Sequence, residues 1–414
     1  MDLLIRAARN DHTMIEKLCA PASAGLWAPQ RLPLSGLVAD ANVAVERPQL
    51  RKAAVAAGIP YLIDPVTPLL QDEQAKDHAW AQLPFASAEA HTPQDLNHPE
   101  LLDELIERTL DFQREQGATL LIPPYLYSPK RGDAWFDLNL QLLKRSARYL
   151  ERENVGLPVV PVFAASLIEY GPQVAWKDGI DRYLAIADTM NLRYVALSWS
   201  ASGPGRESYA KLAHLFTATQ HASAGRPVIA WRQGLYGLQL TASGASGYES
   251  GAGQTERCHY PAFAASRRPQ VSESDEESET GSRGSAYIYF ATFGRSLPRR
   301  VGKALLSHRQ LRGSLVCTDV DCCPDGATSM VTDWREHAVR ARARDMHQLE
   351  QMPPSLAWRL NSVARAAERS VADARLANAT LSEVELKERL PEATFRALVR
   401  VSDELRKRSA EQVA

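Results

Sequence analysis

Eight short apolar segments, separated by longer amphipathic stretches, recur through most of this chain. They are rich in β-branched and aromatic residues and do not alternate with polar residues, which is typical of strands buried on both faces of a sheet. The stretches between them are long enough for crossover helices, so the pattern predicts a parallel α/β sheet. The eight segments cover residues 36–40, 61–65, 119–123, 159–163, 194–198, 228–231, 245–249 and 286–290.

The number of these units selects the architecture. Eight strand–helix units over about 250 residues fit a closed (β/α)8 TIM-like barrel. An open doubly wound sheet is the alternative, although the first segment is not followed by the glycine-rich fingerprint of its dinucleotide-binding form. We therefore predict an α/β fold, with the barrel over residues 1–312 and a zinc-binding helical C-terminal extension over residues 313–414. An acidic, serine-rich stretch near residues 265–285 predicts a disordered insertion in the barrel.

Composition narrows the class of protein. The chain has a formal net charge of −1, so a nucleic-acid-binding role would need a local basic patch. No apolar run approaches the roughly 20 residues of a transmembrane helix, and residues 1–6 lack the pattern of a signal peptide. The five cysteines do not have the spacing of a disulfide framework. We therefore expect a cytoplasmic protein with no membrane partner.

Three carboxylates follow or end predicted strands. Asp40 ends the first segment, Asp64 the second and Glu249 the seventh. The carboxyl ends of barrel strands form one face, and carboxylates that converge there can supply a general base and a nucleophile. The alternative is structural, with Asp40 capping the next helix and Asp64 capping a turn before Pro65. These three residues are the predicted catalytic groups.

Glycines and arginines surround the last predicted strands. Arg232, Gly234 and Gly237 follow the sixth segment, and Arg295 follows the eighth. Glycine lets a ligand approach the backbone closely, and this part of a barrel often binds phosphate. We predict that these four residues bind substrate. Tight turns explain the glycines equally well.

A cysteine cluster late in the chain has the ligand types of a structural zinc site. Cys317, Cys322 and Cys323 fall within seven residues, and His337 and His347 lie on the predicted helix that follows. The two histidines are roughly three helical turns apart, so one ion cannot take both, and we favour His337. The sequence offers no additional carboxylate–histidine set that would leave an open coordination position for catalysis. The Zn²⁺ is therefore predicted to be structural. The alternative is a buried free-thiol cluster with histidines that face solvent.

A barrel followed by three cysteines, a histidine and basic helices resembles the tRNA-guanine transglycosylase superfamily. The resemblance implies that the chain replaces a guanine in nucleic acid with a 7-deazaguanine, after the target nucleotide is flipped out of the stack. It also implies that Asp64 or Asp40 recognises the base. The arginine-rich residues 295–344 would then bind the phosphates of tRNA or DNA.

Two other functions stay open on the sequence. One is a barrel hydrolase or lyase that acts on a small molecule through Asp40, Asp64 and Glu249. The other is a non-catalytic, zinc-containing component of a larger complex, with the C-terminal helices as the surface for a protein partner. The leading hypothesis is the transglycosylase.

Overall fold

The structure is a computed structural model of the whole chain. It describes residues 1–19, 34–72, 79–87, 89–130, 132–167, 173–200, 207–253, 256, 258–260, 286–386 and 389–411. The acidic stretch predicted near residues 265–285 lies outside the described residues. None of the helices in the described part combines the length and hydropathy that a membrane span requires.

Eight parallel strands form the central sheet. They are β1 (Asp2–Ala7), β2 (Gly36–Asp40), β3 (Tyr61–Asp64), β4 (Tyr127–Ser128), β5 (Val162–Ser166), β6 (Val195–Ser200), β7 (Val228–Ala230) and β8 (Gly247–Gly251). β1 pairs with both β2 and β8, so the first and last strands are neighbours. Parallel bridges from Leu62 to Leu120 and from Leu121 to Val159 continue the ladder between β3 and β5. The sheet therefore curls into a (β/α)8 TIM-like barrel, as predicted.

Helices cover the outside of the barrel. They are α1 (His12–Cys19), α2 (Ala41–Glu46), α3 (Gln49–Ala57), α4 (Pro93–Leu96), α5 (Pro99–Glu115), α6 (Ala134–Arg152), α7 (Gln173–Ala187), α8 (Tyr209–Ala222) and α9 (Gly237–Ala242). Local sequence sets several ends. Asp133 caps α6 by accepting a hydrogen bond from the Phe136 N–H at 2.8 Å, and Gly58 ends α3 with a φ of 64°.

The predicted set of barrel strands begins and ends one strand too late. The first strand is Asp2–Ala7, which the sequence analysis missed, and the segment at 286–290 does not belong to the barrel. That segment forms β9 (Tyr287–Phe290), which pairs antiparallel with β10 (Arg295–Pro298). The Tyr289 side chain packs against Ala338 and Ala341 of the C-terminal extension. The segment is therefore buried by this contact and not by a place in the parallel sheet.

The C-terminal extension is helical, as predicted. Its helices are α10 (Arg299–Ser307), α11 (Arg309–Leu315), α12 (Ala327–Thr332), α13 (Trp334–Glu350), α14 (Leu356–Thr380), α15 (Glu383–Leu386) and α16 (Glu392–Glu411). The Phe395 ring of α16 stacks on Phe293, with ring centroids 5.9 Å apart. The predicted domain boundary at residue 312 falls inside α11 and stays a prediction.

The side chains inside the barrel change character along the strands. Inward positions recur at every second residue of a strand. The lower ones are apolar and form one buried cluster that includes Leu4, Val38, Leu62, Val162, Ala196 and Ile229. Two residues nearer the carboxyl end, the same faces of β1, β2, β3 and β6 carry Arg6, Asp40, Asp64 and Ser198. The barrel interior therefore changes from hydrocarbon to polar and ionisable groups at this end.

Candidate active site and metal centre

Arg6 joins the charged side chains at the carboxyl end of the barrel. Its guanidinium donates from Nε to Glu249 Oε1 at 2.9 Å and from Nη2 to Glu249 Oε2 at 3.2 Å. Nη2 also lies 2.9 Å from Asp64 Oδ2, and Nη1 donates to Asp40. The three predicted catalytic carboxylates are therefore brought together by an arginine that the sequence analysis did not include.

Arg232 is the second cation of this cluster. Its Nη2 lies 3.0 Å from Asp64 Oδ2 and 3.2 Å from Asp40 Oδ1, and its backbone N–H donates to Glu249 Oε2 at 2.9 Å. Its φ is 57°, in the left-handed region that a residue with a side chain rarely adopts. Such strain persists only where surrounding contacts enforce it, and these bonds supply them. Arg232 thus lies among the three carboxylates, and its role in binding substrate stays a prediction.

The electrostatics of the two arginines favour the ionised form. Burial lowers the pKa of Arg6 and repulsion by Arg232 adds to this, but attraction to the three carboxylates outweighs both and raises the pKa. Burial likewise lowers the pKa of Arg232, and attraction to Asp40 and then Asp64 raises it well above its ordinary value. A buried ion network is seldom more stabilising than packed hydrocarbon. The network lies at the carboxyl ends of the strands, and this position makes it the candidate active site.

Asp64 is the most completely bonded carboxylate of the cluster. Its Oδ1 accepts hydrogen bonds from the Val66 N–H and the Tyr125 hydroxyl, both at 2.9 Å, and Oδ2 faces the two arginines. Burial, and then the charge of Asp64, raises the pKa of Tyr125 well above its ordinary value. These contacts fix Asp64 in position, and it shapes the site through its neighbours.

Cys258, Ser198 and Tyr260 form a second polar group in the barrel interior. The Ser198 Oγ lies 3.2 Å from Cys258 Sγ and 3.0 Å from the Tyr260 hydroxyl, and the Tyr260 N–H donates to Ser200 Oγ at 3.1 Å. Burial raises the pKa of Cys258 to about 12, so the thiol holds its proton at neutral pH. The Tyr260 ring also stacks on Tyr127, with centroids 5.0 Å apart.

Sequence reasoning missed these residues for different reasons. Arg6 directly follows the apolar run Leu3-Leu4-Ile5. A lone charge in a buried strand is a signal that could have identified it. Cys258 and Tyr260 follow β8 in a connecting segment, and no spacing rule indicates that this segment returns to the barrel interior.

Trp231 links the charged cluster to the apolar interior. The residue directly precedes Arg232 and belongs to the cluster of side chains inside the barrel. The Arg6 guanidinium lies 5.1 Å from the centroid of the indole ring. The indole is fully buried, and its N–H has no hydrogen-bond acceptor among the described residues. A buried donor without an acceptor is energetically unfavourable.

The remaining predicted substrate-binding residues make close packing contacts, and their role in binding substrate stays a prediction. A Cβ at Gly234 would lie 2.3 Å from Ser250 Oγ, and one at Gly237 would lie 2.2 Å from the Tyr248 ring. These glycines therefore let the chain after β7 approach β8. Arg295 lies in β10, with its guanidinium 5.1 Å from the centroid of the Phe395 ring, rather than beside the three carboxylates.

The metal centre contains the four predicted ligands. The ligand atoms of Cys317, Cys322, Cys323 and His337 all lie within 4.8 Å of one another, and all four residues are buried. The Cys322 and Cys323 sulfurs are 3.8 Å apart, and His337 Nδ1 lies 3.4 Å and 3.2 Å from them. Tetrahedral coordination with ordinary zinc bond lengths places two sulfurs roughly 3.8 Å apart and a sulfur and nitrogen roughly 3.6 Å apart. The cluster is compatible with a metal ion.

The surrounding backbone explains how adjacent cysteines share one site. Gly326, with a φ of 56°, ends a turn in which the Cys323 N–H donates to Asp319 O at 2.7 Å. His337 Nε2 lies 2.9 Å from the carbonyl oxygen of Tyr289, which orients the ring and leaves Nδ1 toward the sulfurs. His347, the other histidine considered, is exposed near the end of α13.

Hydrogen bonds within the cluster affect the cysteines unequally. Those from Cys322, and then from Cys323, lower the pKa of Cys317. Arg344 Nη1 lies 3.4 Å from Cys317 Sγ and favours the thiolate as well. A thiolate is the form that binds a metal.

The basic C-terminal segment uses several of its charges internally. Arg335, Arg340, Arg342 and Arg344 of α13 form ion pairs with Asp11, Glu336, Glu256 and Asp319, respectively. Contact of residues 295–344 with tRNA or DNA, and binding of a protein partner by the C-terminal helices, stay predictions.

Comparisons with known proteins find similar solved structures but no family. No protein-family model matches the chain, and neither does any curated protein. One similar solved structure is a putative phosphonomutase from Burkholderia cenocepacia J2315, with 13% identity over 64% of this chain and 90% of the other, and a TM-score of 0.33. A second is 2,3-dimethylmalate lyase, a PEP mutase/isocitrate lyase superfamily member, with 11% identity over 64% and 78% and a TM-score of 0.32.

A third is the carboxyl transferase domain of Rhizobium etli pyruvate carboxylase, with 12% identity over 98% of this chain and a TM-score of 0.38. This chain spans 60% of that structure's length. At such low identities and TM-scores, the likenesses do not transfer a substrate or a mechanism.

The resemblance to the tRNA-guanine transglycosylase superfamily is wrong, and so is the leading hypothesis of a transglycosylase that modifies nucleic acid. The similar structures are named as a mutase, a lyase and a carboxyl transferase domain. The geometry adds a physical reason. Asp64, offered as a base-recognising residue, is fully buried with both oxygens bonded inside the protein.

Proposed function

We propose that the chain is an enzyme that acts on a small molecule at the carboxyl end of its barrel, by acid–base chemistry of the hydrolase or lyase type. The observation that carries this proposal is the layer of two arginines and three carboxylates above the apolar interior. Ionisable groups buried together at this end of a barrel supply the proton transfers that such reactions need.

Asp40 is the general base in this proposal. Its side chain is 12% exposed, whereas those of Asp64 and Glu249 are completely buried. A substrate that enters the mouth therefore meets Asp40 first. Arg6 and Arg232 hold this carboxylate in place, while Asp64 and Glu249 hold the two arginines.

The buried indole of Trp231 indicates what the substrate carries. Its N–H donor has no acceptor among the described residues, and an oxygen of the bound substrate would supply one. The protonated Cys258 thiol and Tyr260 hydroxyl add donors to the same interior. We propose that the substrate has an oxygen acceptor for these donors, and a hydrogen that Asp40 accepts as a proton.

Turnover by an Asp40 variant tests this function. The full chain would be incubated with a mixture of small organic acids, amines and sugars, and consumption would be followed by mass spectrometry. With a substrate found in this way, we expect Asp40→Asn to lower kcat by about 10²–10⁴-fold. The control is Asp188→Asn, which removes a carboxylate paired with Arg226 on the outside of the barrel. Equal turnover by Asp40→Asn and wild type would refute the assignment.

We also propose that the metal centre holds one structural Zn²⁺. Three thiolates and an imidazole form a closed tetrahedral set, and their spacing fits zinc. Elemental analysis should find one zinc per chain, lost in Cys322→Ser and retained in Cys19→Ser. Zinc retained by Cys322→Ser would contradict the site.

None of the five cysteines forms a disulfide, which supports the proposal that the protein works in a reducing, cytoplasmic environment.

A further inference from the structure

Glu256 connects the barrel site to the C-terminal extension. It lies two residues before Cys258 and is buried. Its carboxylate accepts hydrogen bonds from the Ser296 N–H at 2.8 Å and the Ser296 hydroxyl at 2.6 Å, and from Arg342. Its backbone carbonyl accepts from the Leu235 N–H at 3.1 Å. One residue thus joins β10, α13 and the loop that follows Arg232.

Arg342 is the buried partner of Glu256. Its side chain is completely buried, and its guanidinium lies 4.0 Å from the centroid of the Tyr289 ring. Burial lowers the pKa of Arg342, but the attraction of Glu256 outweighs burial and raises this pKa above its ordinary value, so the guanidinium keeps its charge. Removing one partner of such a pair leaves a buried charge uncompensated, and this drives local rearrangement toward solvent.

The same tyrosine connects Arg342 to the metal centre. The Tyr289 carbonyl lies 2.9 Å from Nε2 of His337, while the Tyr289 ring lies against Arg342. His337 and Arg342 are both on α13, five residues apart. Two contacts on Tyr289 and one helix therefore link the metal ligand to the ion pair.

We propose that Glu256 and Arg342 are positioning residues that hold Cys258 and Tyr260 in the barrel site, and that the metal centre keeps Arg342 in place through His337 and Tyr289. The proposal rests on the proposed function, because it takes the barrel interior to be the place of reaction. In this proposal the zinc has the ligand set of a structural ion, and it also maintains the geometry of the barrel site. Neither positioning residue is part of the charged cluster around Arg6.

The Cys258 thiol reports its own position. While it is buried beside Ser198, its pKa is about 12 and alkylation is slow. If the segment leaves the barrel, the pKa falls toward that of an exposed thiol and the thiolate becomes accessible. Cys19, buried in α1, has a pKa that burial raises to about 11. It serves as an internal reference for general unfolding.

The test is alkylation of the zinc-bound full chain with iodoacetamide, with the rate at each cysteine measured by peptide mass spectrometry. We expect Arg342→Met and Glu256→Gln to speed labelling of Cys258 at least about tenfold, because exposure and a lower pKa both raise thiolate reactivity. Labelling of Cys19 should stay as in wild type. Arg340→Met is the matched control on the same helix, since Arg340 pairs with Glu336 and is partly exposed, whereas Arg342 is completely buried. Arg342→Lys should restore part of the protection.

A pH profile separates positioning from general stability. In Arg342→Met we expect the midpoint of Cys258 alkylation to move to lower pH than in wild type, and the Cys19 midpoint to stay. His337→Ala, with zinc loss verified, should also expose Cys258. Unchanged Cys258 labelling in Arg342→Met, or equal rises at Cys258 and Cys19, would overturn the ion-pair role. Unchanged labelling after zinc loss would overturn the role of the metal.

These outcomes are independent of turnover. If Asp40→Asn leaves catalysis unchanged while Arg342→Met exposes Cys258, the proposed function fails and the positioning role stands. If Asp40→Asn lowers kcat while Arg342→Met leaves Cys258 protected, the proposed function stands and the positioning role fails.

Discussion

The barrel site and the metal centre both bury ionisable side chains, but they neutralise them in different ways. In the barrel, three carboxylates face two guanidinium groups supplied by distant parts of the chain. In the metal centre, three thiols and an imidazole come from residues 317–337, and Arg344 is the cation beside them. The barrel cluster is thus largely neutralised by the protein itself, whereas the metal centre has the chemistry to take an ion.

Removal of the central cation should produce the largest effect. Arg6→Met leaves Asp40, Asp64 and Glu249 buried with one arginine, and we expect unfolding free energy to fall by about 3–5 kcal/mol. Arg9→Met is the control, because Arg9 forms an exposed pair with Glu46 and should change stability by about 0–1 kcal/mol. Urea unfolding at pH 7 measures both. Equal stability of the two variants would show that the barrel charges do not compensate one another.

Metal removal should come next in magnitude. A ligand bound only by the folded state at about 100 times its Kd stabilises it by about 2.7 kcal/mol, so a zinc chelator should lower the melting temperature of the wild type. A cavity of about 400 Å³, lined by Cys317, Asp319 and Arg344 among others, gives access to the cluster. Cys322→Ser should melt at the same temperature with and without chelator. A wild type insensitive to chelator would contradict the zinc assignment.

A glycine near the barrel site tests packing against ligand contact. Gly237→Ala places a Cβ against the Tyr248 ring, and we expect a loss of about 1–3 kcal/mol in unfolding free energy. Gly156→Ala, where the added Cβ meets nothing within 4 Å, is the matched control and should be close to neutral. If Gly237→Ala keeps its stability but loses substrate binding, the glycine serves the ligand, as the sequence analysis predicted.

The smallest effect concerns the pH dependence of the barrel interior. Folding raises the pKa of Cys258 from 9.0 to about 12, so its contribution to stability is present below pH 9 and is lost as pH rises toward 12. Between pH 8 and pH 10 the wild type should therefore lose about 1 kcal/mol more unfolding free energy than Cys258→Ser. Urea unfolding at the two pH values gives this difference. Equal losses would place the thiol outside the buried site.

The same contrast explains what could be read from the sequence. The four candidate metal ligands are close in the chain, so ligand type and spacing predicted the cluster of Cys317, Cys322, Cys323 and His337 that the structure contains. The barrel was predicted from the recurrence of apolar segments, yet the count began one strand late because the charge of Arg6 shortens the apolar run of β1. Asp40, Asp64 and Glu249 were found because they end or lie in strands. The ion pairs of these carboxylates with Arg6 and Arg232, and the return of Cys258 to the barrel interior, depend on contacts between distant residues, which a local sequence pattern does not indicate.

The measurement that tests the central claim most directly is the turnover of zinc-loaded Asp40→Asn beside zinc-loaded wild type on the same small-molecule substrate. If the charged layer at the barrel mouth is the active site, kcat should fall by about 10²–10⁴-fold while the melting temperature and zinc content stay close to those of the wild type. Turnover that is unchanged in a folded, zinc-loaded Asp40→Asn would contradict the account.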